Sequence, residues 1–193
     1  MTLLRNAVLL CAVIFISACA YGTKDQYASK KHLEQYTYSS KEAPSLTLIT
    51  MINNRTGAGG HTSLLINGSQ TVMYDPAGRW KHSQAPERHD VVYGITPQLM
   101  QFYKSFHARA SHHVVSQKIY VSPEIAERAI AASIEQGRAK DATCAISTIG
   151  ILHQLLGFEE LKFTYFPARL MKRFGAIDGV VTTKYYENDE GQN

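Results

Sequence analysis

Only one of the three cysteines in this 193-residue chain, Cys144, lies outside the apolar N-terminal stretch that contains Cys11 and ends at Cys19. The N-terminus is typical of an exported chain, and exported domains usually pair their cysteines as disulfides. An isolated thiol in such a domain indicates a buried inert side chain, an intermolecular bridge or a reactive nucleophile. The residues around Cys144 favour the nucleophile, which would attack the carbonyl carbon of an amide or an ester.

Cys144 falls in the first turn of a predicted helix. The helix is expected to begin after Asp141, which is a plausible N-cap residue. Its core-facing stripe is formed by apolar residues at helical spacing: Ile146, Ile149, Leu152, Leu155 and Leu156. Free N–H groups and the positive end of the helix dipole favour an anion at this position, so the pKa of the thiol should be lowered.

A cysteine nucleophile needs a base within hydrogen-bond reach, and His61 is the best placed of the eight histidines. It follows the glycine-rich segment 57–60 and opens a predicted strand, which keeps neighbouring backbone away from its ring. The other histidines lie in polar segments, at a predicted helix end or more than two helical turns from Cys144: His32, His82, His89, His107, His112, His113 and His153. No histidine cluster has a thiolate or carboxylate at metal-ligand spacing, so the sequence predicts no metal and no other cofactor.

A predicted hairpin supplies a carboxylate for His61. Residues 61–66 and 70–75 form two strand-like segments around the turn-prone residues 67–69. A three-residue loop would place Asp75 directly opposite His61, where it could accept a hydrogen bond from one imidazole nitrogen. A two-residue loop would turn Asp75 to the other face of the sheet. An aspartate before a proline also commonly serves as a turn residue.

The remaining patterns define the fold class. Residues rich in β-formers predict strands at 45–52, 61–66, 70–75, 90–95 and 114–121. Thr96 and Ser122 each precede a proline, which is typical of a capped helix start; the second helix should run to about Gln136. Strands grouped with segregated helices predict an α+β domain in which an antiparallel sheet packs against helices.

The order of these motifs resembles that of a known superfamily. A histidine opens a strand in residues 60–66 (GHTSLLI), a polar residue follows on the next strand, and a cysteine begins a helix in residues 141–144 (DATC). Over about residues 46–156, this layout resembles the circularly permuted branch of the NlpC-type papain-like superfamily. That branch includes bacterial envelope lipoproteins and is similar in layout to lecithin retinol acyltransferase.

The resemblance implies a permuted papain-like fold and an acyl-transfer site. In that site His61 would activate Cys144, Asp75 would orient His61, and backbone N–H groups at the helix start would stabilise the oxyanion. The third position varies within the superfamily among acid, histidine and amide, so an aspartate there is allowed but not required.

The N-terminus predicts export and lipidation. Arg5 is followed by the almost wholly apolar residues 7–16 and then by small residues, which is the order of a secretory signal peptide. The apolar run is shorter than the roughly 20 residues that span a bilayer. Residues 16–19 (ISAC) resemble the lipobox of bacterial lipoproteins, which implies a signal peptide over residues 1–18 and lipid on Cys19. An ordinary cleaved signal is the alternative.

The sequence divides the rest of the chain into three parts. Residues 19–43 are predicted to be a lipidated cysteine and a polar tether, residues 44–186 a single domain, and residues 187–193 a disordered tail. The lipobox resemblance implies a Gram-negative envelope, with outer-membrane sorting and a periplasm-facing domain. Loss of Arg5 lowers the formal charge from +4 to +3. The basic residues are scattered, so nucleic acid is not an expected partner.

These patterns predict a membrane-anchored lipoprotein with a thiol hydrolase site formed by Cys144, His61 and Asp75. The expected substrates are amides, with cell-wall peptides first and lipid acyl groups, taken by an acyltransferase or acylhydrolase, second. A catalytically silent binding or scaffolding lipoprotein is the alternative. The separation of His61 and Cys144 distinguishes these functions, because an enzyme needs the two side chains within hydrogen-bond reach.

Overall fold

A computed structural model describes residues 27–187, and these residues have the predicted α+β class. The strands are β1 (Ser45–Asn53), β2 (Gly59–Asn67), β3 (Thr71–Tyr74), β4 (Glu87–Arg88), β5 (Val91–Val92), β6 (His112–Tyr120) and β7 (Val181–Tyr185). They form one sheet in the order β4-β5-β3-β2-β1-β6-β7, in which each paired neighbour is antiparallel.

Five α-helices accompany the sheet within the described residues. They are α1 (Lys30–Leu33), α2 (Pro97–His107), α3 (Pro123–Gln136), α4 (Cys144–Leu152) and α5 (Pro167–Phe174), and a short 3-10 turn (Glu34–Tyr36) follows α1. The predicted caps of α2 and α3 are confirmed. The side chain of Thr96 accepts a hydrogen bond from the backbone of Leu99, and Ser122 accepts one from Ile125.

Both faces of the central strands are covered. One face packs against α3, α4 and α5 through the side chains of Leu46, Leu48, Leu64, Ile66 and Tyr74. The opposite face packs against α2 through Ile49, Met51, Met73 and Val114. Successive side chains of a strand point to opposite faces, so β1 is apolar or weakly polar along almost its whole length.

The register of the β2–β3 hairpin differs from the predicted one. Asn67 pairs with Thr71, so the loop is 68–70 and not 67–69, and continuing the register places Asp75 beside Ser63. The expectation that Asp75 lies directly opposite His61 is therefore wrong by two residues. Because a shift of two keeps the same face of the sheet, Asp75 is a diagonal neighbour of His61.

The start of α4 also differs from the prediction. Thr143, not Asp141, is the N-cap residue, so Cys144 is the first residue of the helix. The preceding Ala142 has a left-handed backbone conformation with φ of 60°, which turns the chain sharply into α4. The helix ends at Leu152, and Leu156, which was expected in its core-facing stripe, is 77% exposed.

The described part of the predicted tether lies on the sheet. The carbonyl oxygen of Tyr38 accepts a hydrogen bond from the backbone of Thr71 at 2.7 Å. The side chain of Asn67 donates to the carbonyl oxygens of Glu42 and Ala43 at 3.2 and 3.1 Å. Residues 27–43 therefore belong to the folded domain, because polar backbone groups that a coil would leave to water are bonded to the hairpin.

The predicted signal peptide, the predicted lipidation site Cys19 and the chain up to residue 26 lie outside the described residues, as do residues 188–193. Glu187, the first residue of the predicted tail, is described and accepts a hydrogen bond from Ser105 at 2.9 Å. Between residues 27 and 187, no helix combines the length and apolar character needed to cross a bilayer.

Candidate active site

Cys144 occupies the first position of α4, where backbone N–H groups lack intrahelical acceptors. The side chain of the N-cap residue Thr143 makes no capping bond and instead donates to the carbonyl of Lys140 at 2.6 Å. The donors of the first turn are therefore available to another acceptor. The thiol itself is buried, with Cys144 8% exposed.

His61 and Asp75 form a short contact on the α2 face of the sheet. The Nε2 atom of His61 lies 2.7 Å from Oδ1 of Asp75, and the two side chains are 18% and 3% exposed. The carboxylate is thus held out of water beside the imidazole. With Nε2 committed to Asp75, the ring has its Nδ1 atom free to serve the thiol.

Cys144 lies close enough to His61 for the two side chains to interact, and each shifts the pKa of the other. Burial is the largest single influence on the thiol and raises its pKa. Hydrogen bonding and charge from His61, together with hydrogen bonding from the backbone N–H groups of Thr62 and Ala145, outweigh burial, so the pKa of Cys144 lies below its ordinary value.

The pKa of His61 moves the other way. Burial alone would lower it, but the hydrogen bonds to Asp75 and Cys144, together with their negative charges, raise the pKa to about 9. Burial is the largest single influence on the pKa of Asp75 and raises it, but the hydrogen bond and charge of His61, the hydrogen bond from Tyr103 and the influence of His107 together make the net shift downward. The arrangement therefore shifts the thiol toward the thiolate and the imidazole toward the imidazolium, beside an ionised carboxylate.

The end of β3 opens the space in which the thiol sits. β3 stops at Tyr74, opposite Leu64, so residues 61–63 of β2 have no β3 partner. Thr62 pairs with Thr50 of β1, and its backbone N–H also lowers the pKa of Cys144 by hydrogen bonding. The gap in the sheet therefore lets the first turn of α4 meet the edge of β2 and supplies one of the donors to the sulfur.

Tyr103 on α2 supports Asp75 from below and was not identified from the sequence. Its hydroxyl lies 2.8 Å from Oδ1 of Asp75 and 3.0 Å from Oγ of Ser63, and the side chain is fully buried. An ionised carboxylate only accepts hydrogen bonds, so Tyr103 donates to Asp75 and Ser63 donates to Tyr103. Burial, followed by the charge of Asp75, raises the pKa of Tyr103 well above its usual value.

His107 is a second histidine at the site, and the sequence did not separate it from its neighbours. Its ring centroid lies 6.1 Å from that of His61, and its Nδ1 donates to the carbonyl of Tyr103 at 2.9 Å. Burial lowers the pKa of His107, so its ring is neutral at neutral pH. His112 and His113 contact other groups, Ser111 and Asn54, at 2.8 and 2.7 Å.

Two buried contacts position the turn that carries Asp75. The backbone of Gly78 donates to the carbonyl of Asp75 at 3.0 Å, and a Cβ atom on Gly78 would lie only 1.8 Å from Oδ2 of the carboxylate. The buried carboxylate of Asp90 accepts from the backbones of Ala77 and Ala139 at 3.0 and 2.9 Å. Asp90 thereby ties the turn after β3 to the loop that precedes Cys144.

A groove with a volume of about 400 Å³ lies elsewhere on the α2 face of the sheet. Its walls include Ile49, Leu65, Met100 and Lys104, and neither Cys144 nor His61 lines it. The groove is therefore separate from the thiol, and the candidate chemistry is located by Cys144 and the His61–Asp75 pair. In the described part of the chain, no three His, Cys, Asp or Glu side chains are grouped to hold a metal ion.

The structure thus brings together the three residues that the sequence singled out, Cys144, His61 and Asp75. Comparisons of the chain with protein-family models, with curated proteins and with solved structures gave no match. The geometry of the site is consequently the basis for assigning a function.

Proposed function

We propose that this protein is a cysteine hydrolase or acyltransferase with Cys144 as the nucleophile, His61 as the general acid and base, and Asp75 as the orienting carboxylate. One observation carries the proposal: the His61–Asp75 pair, in contact at 2.7 Å, interacts with the Cys144 thiol so that the pKa of the thiol is lowered and that of the imidazole is raised to about 9. A thiol that is merely packed in a core needs no such partner, and burial alone would raise its pKa.

The first half of the reaction forms a thioester. The sulfur of Cys144 attacks the carbonyl carbon of an amide or ester, and the carbonyl π electrons move to the oxygen. The tetrahedral adduct collapses when His61 gives its proton to the leaving nitrogen or oxygen, whose bond to carbon then breaks. Asp75 keeps the imidazole oriented and stabilises its positive charge until the proton leaves.

The second half regenerates the thiolate. His61, now neutral, takes a proton from water or another acceptor, which attacks the thioester carbon. The carbon–sulfur bond breaks, and the imidazolium again faces the thiolate. Backbone N–H groups of the first turn of α4 support the negative oxygen in both halves; losing one such donor typically raises the barrier by about 2.7 to 4 kcal/mol.

The chain order of the site supports a permuted papain-like arrangement, because His61 and Asp75 on β2 and after β3 precede Cys144 on α4. We further propose that the protein is an envelope lipoprotein, anchored through lipid on Cys19 at the outer membrane and facing the periplasm. In that compartment cell-wall peptides are the first candidate substrate, and lipid acyl groups are the second.

A catalytically silent binding lipoprotein is the second candidate function. The groove on the α2 face favours it, since a volume of about 400 Å³ is within the usual size range of ligand sites. Binding there would not require the Cys144–His61 pair, so the two functions make different predictions for the thiol.

The test is to capture the acyl-enzyme with an activated ester, p-nitrophenyl acetate, at neutral pH. We expect a burst of nitrophenol equal to the amount of protein and a mass increase of one acetyl group on the peptide that contains Cys144. Cys144→Ala should abolish the adduct, and His61→Ala should slow its formation about 10²–10⁴-fold. A folded chain that gives no burst and no adduct at Cys144 would leave only the binding function.

A further inference from the structure

An exposed group of aromatic side chains lies in the loop between α4 and α5. Phe163, Tyr165 and Phe166 are 61%, 61% and 59% exposed. Large apolar side chains that cluster on a surface, unlike single ones, mark a site of interaction. These rings line neither the groove on the α2 face nor the cavity beside Phe158. Because they are exposed and lie outside both concave sites, they are better placed to contact a broad surface than to enclose a small ligand.

Basic side chains are interleaved with these rings. The guanidinium of Arg169 lies 4.7 Å above the ring of Phe166, and Arg173 donates to the carbonyl oxygens of Lys162 and Phe163 at 2.7 and 3.4 Å. We call the set Lys162, Phe163, Tyr165, Phe166, Arg169 and Arg173 the aromatic–basic surface. Within residues 27–187, none of its three basic side chains forms an ion pair. Glu160 lines the same cavity as Lys162 and Arg173, so the described surface combines three positive charges with one nearby negative charge.

The aromatic–basic surface is fixed beside the candidate active site. α5 packs against β1, β2 and α4, and β2 and α4 carry His61 and Cys144. The contact with β2 is tight, because a Cβ atom on Gly59 would lie 2.5 Å from the backbone nitrogen of Ala168 and 2.8 Å from Cβ of Pro167. The apolar residues of α5, Leu170 and Phe174, are buried in the core, which leaves the basic residues outside.

We propose that the aromatic–basic surface docks the domain on an anionic lipid surface, with the Cys144 site held next to the headgroups. Aromatic rings are favoured at the boundary between headgroups and acyl chains. Each basic side chain near an anionic leaflet adds about 1 kcal/mol of attraction. Charge complementarity therefore selects anionic lipid as the partner, and the two phenylalanines, which have no polar group, favour burial among lipids over contact with a sugar polymer.

The proposed lipid on Cys19 would tether the domain without fixing its orientation. Docking through the aromatic–basic surface would fix that orientation. Cys19 lies eight residues before Tyr27, and a fully extended segment of that length reaches at most about 29 Å. Docking would present Cys144 to acyl groups drawn from the lipid surface. That consequence for the substrate rests on the proposed function, whereas the docking itself does not depend on thiol chemistry.

Tryptophan reporters in the full chain test the docking. The chain has one tryptophan, Trp80, which is 4% exposed, so a second tryptophan on the surface adds a distinct signal. Tyr165→Trp places a reporter in the aromatic–basic surface, and Tyr120→Trp is the matched control, since Tyr120 is 59% exposed and lies at the far end of β6. Phe166→Trp is a second reporter.

With vesicles that contain brominated phosphatidylglycerol, we expect the emission of the tryptophan at 165 to shift to the blue and be quenched. The tryptophan at 120 should be unchanged, and brominated phosphatidylcholine vesicles should quench the reporter at 165 far less. Arg169→Glu and Lys162→Glu should each weaken the quenching at 165 about fivefold or more, because each replaces a positive charge with a negative one.

The docking is overturned if the reporters at 165 and 166 do not respond, if the control at 120 is quenched equally, or if both lipids act alike. Repeating the measurement in a Cys144→Ala background separates this inference from the proposed function. Quenching at 165 without acetylation of Cys144 would reject the thiol chemistry alone, and acetylation without quenching would reject the docking alone.

Discussion

The fold shifts the pKa values of Cys144 and His61 in opposite directions. An unfolded thiol is protonated and an unfolded imidazole is mostly neutral at neutral pH. In the folded protein the pKa of Cys144 is lowered and that of His61 is raised to about 9. Folding thus favours the thiolate and the imidazolium, because Asp75 and the N–H groups of Thr62 and Ala145 stabilise the two charges.

The negative charge of Asp75 stabilises the protonated form of His61. In Asp75→Asn, we expect the pKa of His61 to fall and that of Cys144 to rise, because the buried negative charge on the far side of the ring is lost. Acetylation at neutral pH should slow about 10²–10⁴-fold. The measurement is the pH dependence of acetylation, whose alkaline limb near pH 9 should move to lower pH. An unchanged alkaline limb would show that Asp75 acts only as a turn residue.

Tyr103 is predicted to act through Asp75 as a positioning residue. Tyr103→Phe removes a donor to the carboxylate and an acceptor for Ser63, which should cost about 1 kcal/mol of stability. The pKa of Asp75 should rise, so acetylation should be lost at a higher pH on the acid side than in the wild type. Urea unfolding and the acid limb of the rate profile measure the two effects. A loss of stability with an unmoved acid limb would assign Tyr103 to packing alone.

Secondary-structure elements build the site at the point where a strand ends and a helix begins. The early end of β3 exposes the edge of β2, and the uncapped first turn of α4 fills that opening. The turn from Asp75 to Gly78 then folds back beneath the carboxylate. The geometry of the candidate site therefore depends on backbone positions outside Cys144, His61 and Asp75.

Gly78 offers a test at this level. In Gly78→Ala, the added Cβ would overlap the carboxylate of Asp75, at 1.8 Å from Oδ2, and push it away from His61. We expect acetylation to slow as in Asp75→Asn and stability to fall by about 1–3 kcal/mol. Gly60→Ala is the control, because Gly60 is adjacent to His61 and its nearest neighbour would be 3.7 Å from the new atom. Equal rates for the two variants would refute the role of the Gly78 turn.

Local patterns in the sequence were sufficient to predict two helix starts and the face of the sheet that carries His61 and Asp75. Thr96 and Ser122 before prolines located two helix starts to the residue, because capping depends on neighbours in the chain. The face of the sheet that carries His61 and Asp75 was also predictable, since strand periodicity survives a register error of two. His61 was selected because it opens a strand after a glycine-rich turn, and Asp75 because the hairpin places it on the same face of the sheet.

Other features depend on contacts that no local pattern encodes. β7 is exposed along most of its length and joins the sheet only by pairing with β6, so it lacks the alternation that marks a strand. Asp141 was predicted as the cap of α4 on residue type, whereas the left-handed backbone at Ala142 sets the start two residues later. Tyr103 meets Asp75, and His107 meets His61, because α2 packs across the sheet.

The opposite pKa shifts of His61 and Cys144 should affect how the free energy of unfolding of the whole molecule depends on pH. A raised pKa for His61 contributes stability that is fully present below its unfolded value of 6.5 and is lost as the pH rises through about 9. A lowered pKa for Cys144 contributes stability that is present above its unfolded value of 9.0 and is lost as the pH falls through the folded value. In the part of the range from pH 6.5 to 9 that lies above the folded pKa of Cys144, the folded and unfolded pair bind the same number of protons, and the two slopes cancel.

Removing the thiol should break this cancellation. In Cys144→Ser, His61 keeps its partner Asp75 and still binds a proton that the unfolded chain releases. The free energy of unfolding should then fall with rising pH relative to the wild type, by at most about 1.4 kcal/mol per pH unit. Urea unfolding at several pH values between 6.5 and 9 measures the difference. Parallel pH profiles for the two proteins would mean that no proton passes from Cys144 to His61 on folding.

A measurement of the pKa of the Cys144 thiol tests the proposed thiolate–imidazolium pair most directly. It is obtained from the pH dependence of alkylation by iodoacetamide in the folded protein, followed by mass spectrometry on the peptide that contains Cys144. We predict a midpoint below the ordinary thiol value of about 8.5 in the wild type, and a higher midpoint in His61→Ala, where only the backbone N–H groups of Thr62 and Ala145 oppose the effect of burial. An ordinary midpoint in the wild type, or the same midpoint in both proteins, would contradict the proposed thiolate–imidazolium pair.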